Sequence, residues 1–149
     1  MKDPKNGNVV SLTINPAHRD PLDFVSKAKF VAGYGIDGDR HYTEKKERSG
    51  YQVLVMDRET IDELDLSIGD TRENVTTSDI DIYSLEPGSK LAIGDEVVLH
   101  ISKACPPCSR MDEVRPGLMD QLDGRRGMLA SVERGGIVSL GDTVRVVED

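Results

Sequence analysis

Short apolar runs broken by glycine, proline and aspartate dominate the chain, and few of them are long enough to make a helix. Val9-Val10-Ser11-Leu12-Thr13-Ile14 is rich in β-branched residues and stops at Asn15-Pro16, which predicts a strand. A second strand is predicted over Ala28 to Ala32. Gln52-Val53-Leu54-Val55-Met56 is continuously apolar after its first residue, the pattern of an interior strand covered on both faces. Asp57 then stands where a helix cap is needed, and Ile61 and Leu64 share one face of a short helix from Arg58 to Leu64. Further strands are predicted at Ile80 to Tyr83, Leu91 to Ile93, Val97 to Ile101, Met128 to Val132, Ile137 to Leu140 and Thr143 to Val147. Leu118 to Leu122 reads as a helical turn, with Gly124 as its stop.

Two stretches resemble each other. In Leu91-Ala92-Ile93-Gly94-Asp95-Glu96-Val97 and in Val138-Ser139-Leu140-Gly141-Asp142-Thr143-Val144, an apolar strand meets Gly-Asp and a new strand begins. Glycine supplies a backbone angle that other residues resist, and aspartate ties the turn down. Many short strands with glycine corners predict an all-β fold with short helices, arranged as an antiparallel barrel-like structure rather than a doubly wound sheet. Residues 1–7 are polar and read as a flexible end, leaving 8–149 as a single domain of a size that folds without disulfides.

The formal charge is −8, so the chain as a whole repels nucleic acid and anionic lipid, and a nucleic-acid partner is not expected. No apolar run approaches the ~20 residues of a membrane span, and the first seven residues do not resemble a signal peptide. A cytoplasmic location, where thiols stay reduced, is the expectation.

The two cysteines lie in Cys105-Pro106-Pro107-Cys108, directly after a predicted strand. A structural zinc site needs four ligands, but there is no second pair, and His18, His41 and His100 are scattered singly. A thioredoxin-type motif needs a long following helix, which Pro116 interrupts. The residues alone leave two readings open: a reactive thiol pair on a stiff turn, or small buried hydrophobes.

Three polar clusters accompany the cysteines: Gly35-Ile36-Asp37-Gly38-Asp39-Arg40-His41, Gly69-Asp70-Thr71-Arg72-Glu73-Asn74-Val75 and Gly124-Arg125-Arg126-Gly127. In this order, with the late Pro-Cys and the closing Gly-Gly and Gly-Asp-x-Val, the chain from about Val9 to Val147 resembles the MOSC domain, the C-terminal domain of molybdenum cofactor sulfurases. The resemblance is to a small stand-alone member. It implies a barrel-like β fold and a functional cysteine at Cys108, acting as a sulfur-accepting thiol that carries a persulfide or as a ligand to molybdenum. Cys105 is then auxiliary or merely tolerated. Molybdenum cofactor (molybdopterin) is the implied cofactor, and a sulfur donor protein or a cofactor biosynthesis protein the implied partner. Pyridoxal phosphate is not expected, because the aminotransferase-like domain of full sulfurases is missing. The additional β-domain of the larger reductases is missing too.

If the loops converge at one end of the barrel, Arg40, His41, Arg72, Arg110, Arg125 and Arg126 are the cations that would favour a Cys108 thiolate. Gly38, Asp39, Arg40, His41, Arg72, Asn74, Arg125 and Arg126 are the candidate cofactor-binding residues. Arg72 can clamp a phosphate, Asn74 can bond a ring edge, and Glu73 is expected to hold its loop. His18 and His100 are read as structural. Two further roles stay open: a molybdenum-cofactor-dependent reductase of N-hydroxylated compounds, and a non-enzymatic module that binds sulfur or cofactor.

Overall fold

A computed structural model describes residues 6–17, 21–43 and 50–147. The strands are β1 (Asn6–Ile14), β2 (Asp23–Val25), β3 (Lys27–Val31), β4 (Gly35–Ile36), β5 (Val53–Asp57), β6 (Val75–Ser78), β7 (Lys90–Ile93), β8 (Val97–Ala104), β9 (Met128–Arg134), β10 (Gly136–Ser139) and β11 (Thr143–Val147). Among the described residues three short α-helices interrupt them: α1 (Arg58–Glu63), α2 (Arg110–Val114) and α3 (Leu118–Gln121).

One sheet runs β11-β7-β8-β9-β5-β6-β1-β2, and pairing of β11 with β1 closes its first seven strands into a barrel. β1 makes this possible by changing partners along one edge. Asn6 to Asn8 pair with β11, Leu12 to Ile14 pair with β2, and a bulge between Val9 and Ser11 bends the strand against β6 on its other edge. All the barrel pairings are antiparallel except β5 with β6. A parallel pair cannot be joined by a tight turn, and α1 with the loop that follows it supplies the crossover. Strands β10, β3 and β4 form a second, small sheet.

The expected mostly antiparallel barrel with short helices is therefore the fold. β5 is interior and fully buried, and its alternation explains the unbroken apolar run. Val53 and Val55 enter the barrel core, whereas Met56 faces a second cluster with Ile61, Met111, Leu118 and Leu122 beneath the helices. Asp57 caps α1 as expected, its Oδ2 accepting from the Thr60 N–H and hydroxyl at 3.2 and 2.8 Å. The two Gly-Asp corners turn out to be neighbours. A Cβ on Gly94, whose φ is +63°, would sit 2.8 Å from Asp142 Oδ2, and Gly94 N donates to Thr143 O.

Several boundaries differ from the sequence expectation. Asn6 and Gly7 already belong to β1, while residues 1–5 and His18 lie outside the described residues. Ile80 to Tyr83 is not a strand: Ile80 makes an isolated bridge and Ile82–Ser84 forms a 3₁₀ turn. Asp81 is the reason, since its carboxylate accepts from the Tyr83 N–H at 3.1 Å and offers the backbone a local alternative to a ladder. The strands β2, β4 and β6 and the helix α2 had no legible signal of their own.

Leu99 is fully buried in the barrel core and Leu140 is 48% exposed. Leu99→Ala is expected to lower unfolding free energy by roughly 2–5 kcal/mol. Leu140→Ala should stay within about 0.5 kcal/mol. Urea titrations of both variants would check this, and equal losses would contradict the assigned core.

Candidate functional site

Loops from five parts of the chain meet over the outer wall of the barrel. The floor is apolar: Leu54 of β5, Leu129 of β9 and Cys105, just past β8, pack together. Residues 53, 55, 128 and 130 point into the barrel, so by strand alternation 54 and 129 point outward. The resulting cleft, about 400 Å³, is also lined by Asn15, Arg40, His41, Tyr51, Arg72, Asn74, Pro106, Cys108, Arg110, Met111 and Arg126. It lies over the outward-facing Leu54 and Leu129 of the barrel wall.

A buried hydrogen-bond knot brings the loops together. Asn74 donates from Nδ2 to Asp39 Oδ1 at 3.0 Å and to Thr13 O at 3.2 Å, and its Oδ1 accepts from Leu54 N at 3.0 Å. Asp39 in turn accepts from Asn15 N at 2.8 Å, and its Oδ2 receives the His41 N–H at 3.0 Å. His41 Nδ1 lies 3.1 Å from the same Asp39 oxygen. Burial works to raise the Asp39 pKa, but the hydrogen bonds from His41 and Asn15 outweigh it and hold the carboxyl below its ordinary value. The expected ring-edge role of Asn74 is thus displaced, because its amide is spent on the protein.

The loop that carries Arg72 is organised by a carboxylate, as expected for Glu73. Glu73 is fully buried and accepts from Gly69 N at 2.8 Å and the Thr71 hydroxyl at 2.7 Å. Arg72 itself has a left-handed φ of +60°, a conformation an arginine keeps only where its surroundings enforce it. Its N–H donates to Gly69 O, and its carbonyl accepts from Asn15 Nδ2 at 3.3 Å.

Arg125 and Arg126 are adjacent but divide. Arg126 faces the cleft, its Nη1 lying 3.4 Å from Cys105 Sγ and 3.3 Å from Pro106 O, with Nη2 donating to Thr71 O at 3.2 Å. Arg125 points away, pairing with Glu63 at 3.0 Å and donating from Nε to Gln121 O. The division follows from the anchoring of their loop. The Tyr83 phenol lies 2.7 Å from Asp57 Oδ1 and 2.8 Å from Arg125 O, and it accepts from Gly127 N at 3.2 Å. Burial, then the Asp57 charge, push the Tyr83 pKa far above that of a free phenol, so it stays a protonated tether. Gly127 has φ +86°, and a Cβ there would clash with the Val55 carbonyl oxygen.

Cys105 and Cys108 are both unbridged, the first buried and the second half-buried in the cleft. Burial pushes the Cys105 thiol up, and Arg126 only partly offsets this. The structure therefore brings together Arg40, His41, Arg72, Asn74, Arg126 and Cys108 of the candidate residues. Gly38 and Asp39 support the site from behind, with Gly38 at φ +88°, and Arg125 is outside it. His100, half-buried on β8, is away from the cleft. Sequence reasoning missed Asn15, Tyr51, Leu54 and Leu129. Asn15 was legible only as the end of a strand, and the outward side of β5 could not be told from the inward side.

Among the described residues, four arginines and no carboxylate line the cleft, although the chain as a whole carries −8. Local charge decides short-range binding, so this surface favours an anionic group beside a thiol. Among the described residues no group of three or more His, Cys, Asp or Glu could hold a metal ion.

The fold and site define a closed β-barrel protein with a thiol-bearing, arginine-lined cleft on its wall. The chain belongs to the MOSC domain family, which it matches over residues 37–145. No curated protein matches it in sequence. Among solved structures it is similar to the YuaD protein from Bacillus subtilis, with a TM-score of 0.82 at 23% identity over 98% of both chains. It is also similar to YiiM from Geobacillus stearothermophilus, with a TM-score of 0.73 at 16% identity over 95% of this chain and 75% of that one. For YiiM from Escherichia coli the values are 0.70 and 15%, over 95% and 70%. At such identities the likeness establishes the fold.

The knot makes two predictions. Asn74→Ala strands buried partners on β1 and β5 and should cost roughly 2–3 kcal/mol, whereas Arg110→Ala should cost less than about 0.5 kcal/mol. Because the folded Asp39 pKa is lowered, its contribution is fully present above the unfolded value of about 3.9 and is lost as pH falls through the folded value. Urea midpoints between pH 2 and pH 6 should therefore fall more steeply in the wild type than in Asp39→Asn.

Proposed function

We propose that this MOSC-domain protein handles sulfur or the molybdenum cofactor, with Cys108 as the sulfur-accepting thiol or the molybdenum ligand. The observation that carries the reading is the placement of Cys108, half-buried and open to a cleft whose lining includes four arginines and an apolar floor. A molybdenum cofactor is a fused ring system with a phosphate and a soft metal, and the residues present fit it. Among the described residues, buried Arg126 Nε and Asn15 Oδ1 have no hydrogen-bond partner, so two residues that line the cleft keep an unspent donor and an unspent acceptor. A volume of about 400 Å³ is within the usual range for a small-ligand site.

Arg40, Arg72, Arg110 and Arg126 would hold the phosphate and other anionic oxygens, and Leu54 and Leu129 would cover the flat ring. Cys108 would supply one soft ligand to a metal that arrives with its own sulfur ligands. When bound, the cofactor would supply two-electron redox chemistry. His41, fixed through Nδ1 by Asp39, would present Nε2 to donate or accept a proton. The same thiol could instead receive sulfane sulfur from a donor protein. Use of the bound cofactor to reduce N-hydroxylated compounds is the enzymatic form of the reading. A cytoplasmic location suits a free thiol, and no described helix is long and apolar enough to cross a membrane.

Protein purified from cofactor-producing cells should contain molybdenum or sulfane sulfur. Cys108→Ser should remove it, because a hydroxyl is a far poorer soft ligand and sulfur acceptor, while Cys105→Ser should retain most of it. Elemental and sulfane-sulfur analysis of the three proteins checks this. Loss on Cys105→Ser with retention on Cys108→Ser would overturn the assignment. Electron-donor-dependent turnover of an N-hydroxylated compound would separate the reductase from a binding module.

A further inference from the structure

In most two-residue-spaced cysteine pairs the intervening backbone folds into a tight turn, and the two sulfurs can join. The Cys105-Pro106-Pro107-Cys108 segment does not turn in that way. A type I turn needs the first central residue in the right-handed helical region, which a following proline disfavours; Pro106 is followed by Pro107. A type II turn needs positive φ at the second central residue, and proline fixes φ near −65°. The prolyl bonds are trans, and residues 105–108 contain neither turn nor bend. An extended proline segment rises about 3.1 Å per residue, so it separates the first and fourth Cα atoms by about 9 Å. A disulfide requires about 4.4–6.8 Å.

Both ends of the segment are also held. Cys105 N donates to Gly127 O at 2.9 Å, and the Cys105 sulfur is beside Arg126 Nη1. Cys108 O accepts from Met111 N at 2.9 Å, which joins it to α2. These contacts hold the backbone at the two ends of the segment in place.

We propose that Pro106-Pro107 is a spacer that keeps Cys105 and Cys108 as two separate thiols, so that a sulfur species carried on Cys108 leaves only to an external nucleophile. Without the spacer, Cys105 thiolate would attack the inner sulfur of a Cys108 persulfide, forming a Cys105–Cys108 disulfide and expelling hydrosulfide with the electron pair of the broken S–S bond. With it, an external thiolate attacks the outer sulfur instead. It becomes the new persulfide, and Cys108 thiolate is released with no net oxidation. The burial that keeps the Cys105 thiol protonated acts in the same direction. The persulfide part rests on the function proposed above, whereas the separation of the thiols does not.

The test uses the full chain and the disulfide of glutathione, which exchanges with Cys108 thiolate to give a mixed disulfide and free glutathione thiolate. After excess reagent is removed, intact mass and non-reducing peptide mapping follow the adduct in the wild type, in Cys105→Ser and in a variant with Pro106→Gly and Pro107→Gly. The expected result is one adduct on Cys108, with wild-type and Cys105→Ser lifetimes within about twofold, and at least tenfold faster conversion to a Cys105–Cys108 disulfide in the glycine variant. A wild-type internal disulfide, or a wild-type adduct lost at least about tenfold faster than that of Cys105→Ser, would overturn the proposal. So would a glycine variant that keeps its adduct as the wild type does, or a wild type that forms no adduct. A parallel incubation with a persulfide donor isolates the other reading: a wild type that keeps the glutathione adduct but takes up no sulfane sulfur supports the spacer and rejects the sulfur carrier.

Discussion

The buried amide of Asn74 bonds the backbone of two strands and the carboxylate of a distant loop at once, and the cleft depends on it. Its side chain bonds the chain at Thr13, Leu54 and Asp39, while its own N–H and carbonyl pair with Leu54 O and Thr13 N. Asp39 then passes the constraint to Asn15 and His41. In a buried setting each of these groups would be costly to leave unpaired, so the loops are held in one arrangement. That rigidity lets the barrel present arginines from three distant loops to one thiol.

The cleft keeps its cations in place by spending other residues on the protein itself. Glu73 fastens the Arg72 loop, and Tyr83 with Asp57 fastens the loop of Arg126. The carboxylates are therefore behind the cleft and the guanidinium groups in front, which is how a chain of charge −8 makes a cationic surface. Anion binding here depends on geometry at a few ångströms, where nearby charges act with little screening.

The diproline and the surrounding hydrogen bonds give the two cysteines unlike roles. Cys105 is packed with Leu54 and Leu129 and serves the floor and Arg126, while Cys108 faces the cleft. Of the two cysteine readings left open by the sequence, the buried hydrophobe describes Cys105, while Cys108 is half-buried and lines the cleft.

Strand positions, glycine corners, the Asp57 cap and the interior place of β5 were legible because each depends on local patterning, turn chemistry or the length of an apolar run. The resemblance also located the loops that carry Arg40, Arg72, Arg126 and Cys108. Only the tertiary structure decided which face of β5 floors a cleft, that Asn74 and Asp39 act as internal ties, and that Arg125 turns away while Arg126 turns in. Ile80 to Tyr83 failed for a local reason, the competing carboxylate of Asp81. The others failed because a hydrogen bond between residues 35 or 61 positions apart, as in Asp39 with Asn74 and Thr13 with Asn74, leaves no periodic trace in the chain. Apolar spacing records which residues avoid water; it does not record which polar group meets which.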